Sequence, residues 1–333
     1  MTFVTGFPHL LPVFLSAMNA IRKLTPIARL AWFVVGLNLF VIVWGGFVSA
    51  SGSGDGCGAS WPLCQQLVTA ETRSWETFVE FFHRITSGLA LLAIFYMTWR
   101  VFRHYAKGHI VRLGATYSVV FIITESLLGA ALVIFKWVDT NESLARAFVQ
   151  PIHLVNTFLL MASLGLTAWW ASGNEPPHWS KNRKLLLALA GGLAGVVVLS
   201  SFGTIASLAS TIFPSESFFE GVQKDFARNV HYLIRLRIWH PIIAVLVGGY
   251  LLYLGRLLEQ WCPDERVNKL HNFMFTVFLV QFGMGAMNAI LLTPVWLQLV
   301  HLLGAHLLWL GMVLLNVTAL AVARPAEYRL APS

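Results

Sequence analysis

Four histidines, one glutamate and two cysteines are the residues whose types and spacing can do chemistry. His83, His153, His240 and His301 each lie within a long apolar segment, where an ionisable side chain is rare and points to function. Neutral imidazole is a good iron ligand, and two imidazoles from facing helices of a bundle can grip a heme on both faces. The pattern therefore predicts two bis-histidine heme sites, His83 with His153 and His240 with His301. The plain alternative for any one of them is a helix-to-helix hydrogen bond. Three residues before His83 stands Glu80, a spacing that puts carboxylate and imidazole on one helical face. The matching position before His240 is Arg237, so the acid belongs to one pair alone. Glu80 reads as a catalytic or substrate-facing acid, or as a carboxylate favouring a helix start.

Cys57 and Cys64 flank a loop, Cys57-Gly-Ala-Ser-Trp-Pro-Leu-Cys64, and are expected to form a disulfide on the oxidising side. It is either a staple over the histidine layer or a redox-active pair. Arg84, Arg235 and Arg237 are candidate partners for heme propionates, with snorkelling to the interface as the alternative. Glu125 is an acid inside an apolar segment without an evident partner; a proton path and an interhelical hydrogen bond both stay open. His9, His104, His109 and His178 read as solvated, His231 and His306 as structural, and Cys262 as a reduced thiol. Pro151 and Pro241 fit the first turns of helices.

The elements that must carry these residues follow from composition. Of 333 residues 57% are hydrophobic and 11% charged, with mean hydropathy +0.68, so the chain cannot assemble a water-soluble surface. A bilayer core of roughly 30 Å needs about 20 apolar residues in a helix. Such segments occur at 28–50, 78–103, 112–135, 147–171, 184–212, 238–257, 270–292 and 296–322. The first is too long for a signal-peptide core and is expected to stay as an anchor. The net charge of +8 sits in loops beside the spans, where it sets topology rather than binding nucleic acid. With the N-terminus inside, fifteen Lys and Arg are cytoplasmic and seven are external, which predicts both termini in the cytoplasm.

An internal repeat completes the fold reading. Glu125-Ser-Leu-Leu-Gly129-Ala130 aligns with Gln281-Phe-Gly-Met-Gly285-Ala286, an offset of 156 residues (281 − 125), and His83 precedes His240 by 157 (240 − 83). The prediction is an all-α membrane protein of eight transmembrane helices in two pseudo-twofold-related four-helix bundles. Its parts are a cytoplasmic tail 1–27, an N-terminal half 28–172, a linker 173–183, a C-terminal half 184–322 and a tail 323–333. All four histidines then lie within about two turns of the outer surface.

The run Gly52-Ser-Gly-Asp-Gly-Cys57 to Trp61-Pro-Leu-Cys64, then Glu80-x-x-His83-Arg84, then lone histidines in segments four, six and eight, resembles the heme A synthase family in its eight-helix bacterial form. The resemblance spans about 28–322. It implies oxidation of a ring methyl of heme O to the formyl group of heme A by successive hydroxylations, with water as oxygen source. It also implies that His83 and His153 face the substrate heme, that Glu80 is the essential carboxylate, and that His240 and His301 hold a heme b cofactor. Cys57 and Cys64 match the family's loop pair. Expected partners are heme O synthase, cytochrome oxidase assembly factors, lipid and a second copy of the chain, with no nucleic acid. The expected location is a bacterial or archaeal plasma membrane, with the heme sites toward its outer face. Two departures stand out: Pro241 follows His240 where an arginine is expected, and Glu125 stands where an amide like Gln281 is expected. A membrane diheme b-type cytochrome that only passes electrons is the competing class, and a repeat-built transporter is a third.

Overall fold

The computed structural model describes residues 24–64, 75–178 and 182–323. The terminal stretches 1–23 and 324–333, with His9, Arg22, Lys23, Arg324 and Arg329, lie outside the described residues, as do Arg73 and Lys181 in loops. Among the described residues there are eight helices long and apolar enough to cross a membrane and no strands, and the chain is a multi-pass membrane protein. The spans are α1 (Pro26–Ala50), α2 (Trp75–His104), α3 (Ile110–Ile134), α4 (Leu144–Ala171), α5 (Arg183–Ile212), α7 with α8 (Tyr232–Arg237 and Trp239–Trp261), α9 (Glu265–Ile290) and α10 (Val295–Val322). A short helix, α6 (Phe218–Phe226), lies in the loop before α7.

Helix starts carry the expected chemistry. Thr25 caps α1, its side chain accepting from the Ala28 amide at 3.1 Å, and Pro26 takes the first position, where a missing N–H is harmless. Asp264 caps α9 by accepting from Arg266 N at 2.8 Å, and its pairing with the Arg266 guanidinium holds its carboxyl below the usual range. Pro241 sits in the first turn of α8 as expected. Pro151 does not occupy a first turn. It is inside α4, because Ser143 caps that helix well upstream and Arg146 ties the preceding turn down by donating to the carbonyls of Asp139 and Asn141. A proline removes one backbone donor, which a membrane helix tolerates when its neighbours absorb the irregularity.

Within the first half α1 packs on α2 and α4, and α3 packs on α2 and α4. The second half repeats the pattern: α5 packs on α8 and α10, and α9 on α8 and α10. The halves meet where α10 lies against α1 and α4, and where α4 lies against α5. Lipid tails are as apolar as leucine, so close approach and hydrogen bonds, rather than expulsion from water, must hold such a seam. Both are present. A side-chain carbon on Gly165 would collide with Leu310, and one on Gly46 with Leu302, so these glycines let α10 sit against α4 and α1. The Trp309 indole N–H donates to the Phe158 carbonyl at 2.6 Å, and the two rings stack at 4.8 Å.

Candidate functional site

The structure brings His240 and His301 together in the second half. His240 on α8 and His301 on α10 face one another with ring centres 6.3 Å apart. Metal–nitrogen bonds of about 2 Å on each side, with about 1 Å from each nitrogen to its ring centre, require a separation of about 6 Å. His240 Nδ1 bonds the Leu199 carbonyl at 3.1 Å, which leaves Nε2 as the nitrogen that could take a metal; metal-bound histidines commonly use their other ring nitrogen in this way. His301 Nδ1 is buried with no partner among the described residues. Each ring lies over a glycine: a side-chain carbon on Gly203 would come 2.9 Å from His240 Cε1, and one on Gly285 3.4 Å from His301 Cε1. Among the described residues no three or more His, Cys, Asp or Glu converge on one point. A metal held by two imidazoles alone needs further ligands, and a porphyrin supplies four.

The first half shares part of this construction. His83 on α2 lies over Gly45 of α1, whose side-chain carbon would be 2.8 Å from His83 Cε1, and its Nδ1 has no partner among the described residues. Its imidazole and that of His153 on α4 are close enough to interact electrostatically. The glycines carry no charge or hydrogen-bonding side chain, so sequence reasoning passed over them. Their signal was a glycine in each half about 38 residues before the histidine (83 − 45, 240 − 203). Gly203→Ala is expected to push the His240 ring off its seat and lower the heme content of the second half, measured as pyridine hemochrome per chain; unchanged content would show that the ring has room to shift.

Glu80 is 3% exposed, and its carboxylate points to the cysteine loop. Oε2 accepts from the Cys57 amide at 2.7 Å, and Oε1 accepts from Arg84 Nε at 3.1 Å and from Arg84 Nη2. Arg84 Nη1 reaches on to the Ser60 carbonyl at 2.6 Å, while Thr77 donates to the Gly56 carbonyl at 2.6 Å. Gly56 approaches the α2 backbone so closely that a side-chain carbon there would collide with the Glu76 carbonyl. Cys57 and Cys64 are joined by a disulfide, and both are buried. Arg84 thus knits the loop to α2, and it supplies the loop with the nearby cation that the local sequence around the cysteines lacks.

In the second half Arg237 occupies the place of Glu80, and its partner comes from α6. Asp225 Oδ1 accepts from Arg237 Nε at 2.9 Å and from Nη2 at 2.6 Å, with the Gly221 carbonyl and Ser210 hydroxyl completing the shell. Asp225 was not singled out by sequence, since it lies twelve residues away on a separate helix. Arg235 is exposed. His231 caps α7 and His306 bonds the Leu302 carbonyl at 2.9 Å against the Phe158 ring, so both are structural, as expected. His271, also missed, ties α9 to the Leu251 carbonyl at 3.0 Å. Cys262 is buried and not in a disulfide. Glu125 gains named partners on α4: Asn156, Thr157 and His153.

Residues 28–313 match the model of the COX15-CtaA family, described as cytochrome oxidase assembly protein. The chain belongs to that family. A heme A synthase of Staphylococcus haemolyticus is 34% identical over 283 residues, covering 82% of this chain and 88% of that protein. A heme A synthase of Bacillus licheniformis is 41% identical over 239 residues, 67% of this chain and 75% of the relative. A Thermus thermophilus protein named protoheme IX farnesyltransferase is 40% identical over 294 residues, 88% of this chain. The chain spans about half the length of that relative, 48%.

Proposed function

We propose that this chain is a heme A synthase, an oxidoreductase that converts a ring methyl of heme O to the formyl group of heme A for cytochrome oxidase. The observation that carries the reading is the broken symmetry of the two halves: each has a histidine seated over a glycine of the preceding span, His83 over Gly45 and His240 over Gly203, but only His83 has a buried carboxylate one turn before it, where the other half has Arg237. In this reading the halves are related by a pseudo-twofold axis along the membrane normal, which the repeated packing supports. His83 and His153 receive the substrate heme. His240 and His301 hold a heme b, which supplies electron transfer when bound. The heme layer faces the outside of the plasma membrane, in line with the lysine and arginine distribution.

On this reading the protein's part is positional and electrostatic. The histidine pair fixes the substrate macrocycle, and the apolar helix ends around it exclude bulk water. Each hydroxylation would exchange one C–H of the ring methyl for a C–OH from water, giving up two electrons to an external electron acceptor and two protons, one of which the Glu80 carboxylate would accept while stabilising the positive charge that builds beside the macrocycle. The two successive hydroxylations give a hydrate that loses water to form the formyl group. The named farnesyltransferase, of which this chain covers half, supports a working partnership with the enzyme that farnesylates protoheme to make heme O.

The test is expression of the full chain with a supply of heme O, followed by heme extraction. Heme A in the extract, with heme b retained by the chain, is the expected result. Protoheme alone at two per chain would place the protein among the diheme electron carriers instead.

A further inference from the structure

Glu125 is held against His153 by groups that owe nothing to iron. Its Oε2 accepts from Asn156 Nδ2 at 2.6 Å, its Oε1 accepts from the Thr157 hydroxyl at 2.5 Å, and Oε1 lies 3.5 Å from His153 Nε2. His153, Asn156 and Thr157 share one face of α4 by their i, i+3, i+4 spacing. Asn156 is itself pinned, donating to the Phe121 carbonyl at 3.0 Å and accepting from the Thr124 hydroxyl at 2.6 Å. His153 Nδ1 is buried with no partner among the described residues. The carboxylate therefore faces Nε2, the nitrogen that imidazole ordinarily offers to heme iron.

The second half is built the other way. Gln281, at the position of Glu125, donates to the His301 main-chain carbonyl at 2.7 Å. The Leu199 carbonyl fixes His240 through Nδ1 and leaves Nε2 free for iron.

We propose that Glu125 competes with heme iron for His153 Nε2 and so makes the first-half site one that exchanges its heme, while the second-half site, with Gln281, retains its own. This rests on the reading of the first half as the substrate site, where a heme must arrive and another must leave. When heme departs, Nε2 of the half-buried imidazole passes to the carboxylate, a partner already held in place, which lowers the barrier to release.

The experiment uses the full-length chain loaded with protoheme, so that its readout does not depend on conversion, and follows heme transfer to excess apomyoglobin. A His240→Ala background isolates release from the first half. Glu125→Gln and Glu125→Ala are each expected to slow that release by about tenfold, the scale of one hydrogen bond to a charged group, and to strengthen the low-spin bis-histidine spectrum. Faster release in both variants would overturn the proposal and make Glu125 a support for the iron ligand. Unchanged release would overturn it too, as would loss of both hemes in the same variants made without His240→Ala, since the residue then serves the fold. Heme O conversion by the wild type is measured in parallel: its absence sinks the enzymatic reading and leaves the release comparison standing, whereas unchanged release with intact conversion sinks the competition alone.

Discussion

Glu80→Gln is expected to reduce conversion of heme O to heme A by at least about a hundredfold, the lower range for loss of a positioned acid or base, while second-half heme stays bound. Glutamine keeps the length of the side chain and an oxygen for the Cys57 amide, so the loop remains anchored at that point. What disappears is the negative charge opposite Arg84, which the proposed reaction uses beside the ring methyl. The carboxylate also ties the loop to α2, so loss of turnover by itself would not separate chemistry from architecture. Arg84→Gln separates them. It breaks the same latch, including the bonds to Glu80 and to the Ser60 carbonyl, yet leaves the carboxylate in place. Conversion by Arg84→Gln is expected to exceed that of Glu80→Gln at equal substrate loading. Equal losses would reduce Glu80 to a loop anchor, and full conversion by Glu80→Gln would remove it from the reaction altogether.

His240→Ala is expected to leave a folded chain lacking the second-half heme, read as one heme fewer per chain and loss of the corresponding low-spin band. Without this imidazole the second half would offer a heme one histidine instead of two, with an empty volume over Gly203 where the ring had been. The helix itself should persist, because α8 is anchored deeper by buried Val247, Leu251 and Leu254 and by the close approach of Gly248 to Phe278. Added imidazole is expected to restore binding by filling that volume with the missing ligand. Full heme content in the variant without added imidazole would refute the assignment of His240 as a ligand. If the two halves act in series, conversion falls as well, while substrate heme still binds at His83 and His153.

Much of the architecture was legible before any contact was known. The eight spans fall within a few residues of their expected bounds because a span is a local property: about 20 apolar side chains in a row report it with no reference to neighbours. The exceptions have local causes that weigh little in such a sum. The sixth span starts at Tyr232 rather than 238 because a short helical turn, capped by His231, precedes Trp239. Pro151 entered the body of α4 because the Ser143 cap and the Arg146 clamp lie upstream of the apolar run that marks the segment.

The candidate site divides along the same line. Sequence by itself determined which residues are chemically costly inside a membrane, that His83 recurs as His240 157 residues on (240 − 83) and His153 as His301 148 residues on (301 − 153), and that Glu80 has no counterpart before His240. It also paired Cys57 with Cys64, since a seven-residue separation leaves little choice of partner in the loop. The direction of each side chain was decided only by tertiary structure. That Glu80 turns to Cys57 and Arg84, that Arg237 is met by Asp225, that Glu125 abuts His153, and that Gly45 and Gly203 floor the imidazoles all depend on the rotation and register of one helix against another. Those quantities are set by packing between segments tens of residues apart, and no local window of sequence contains them.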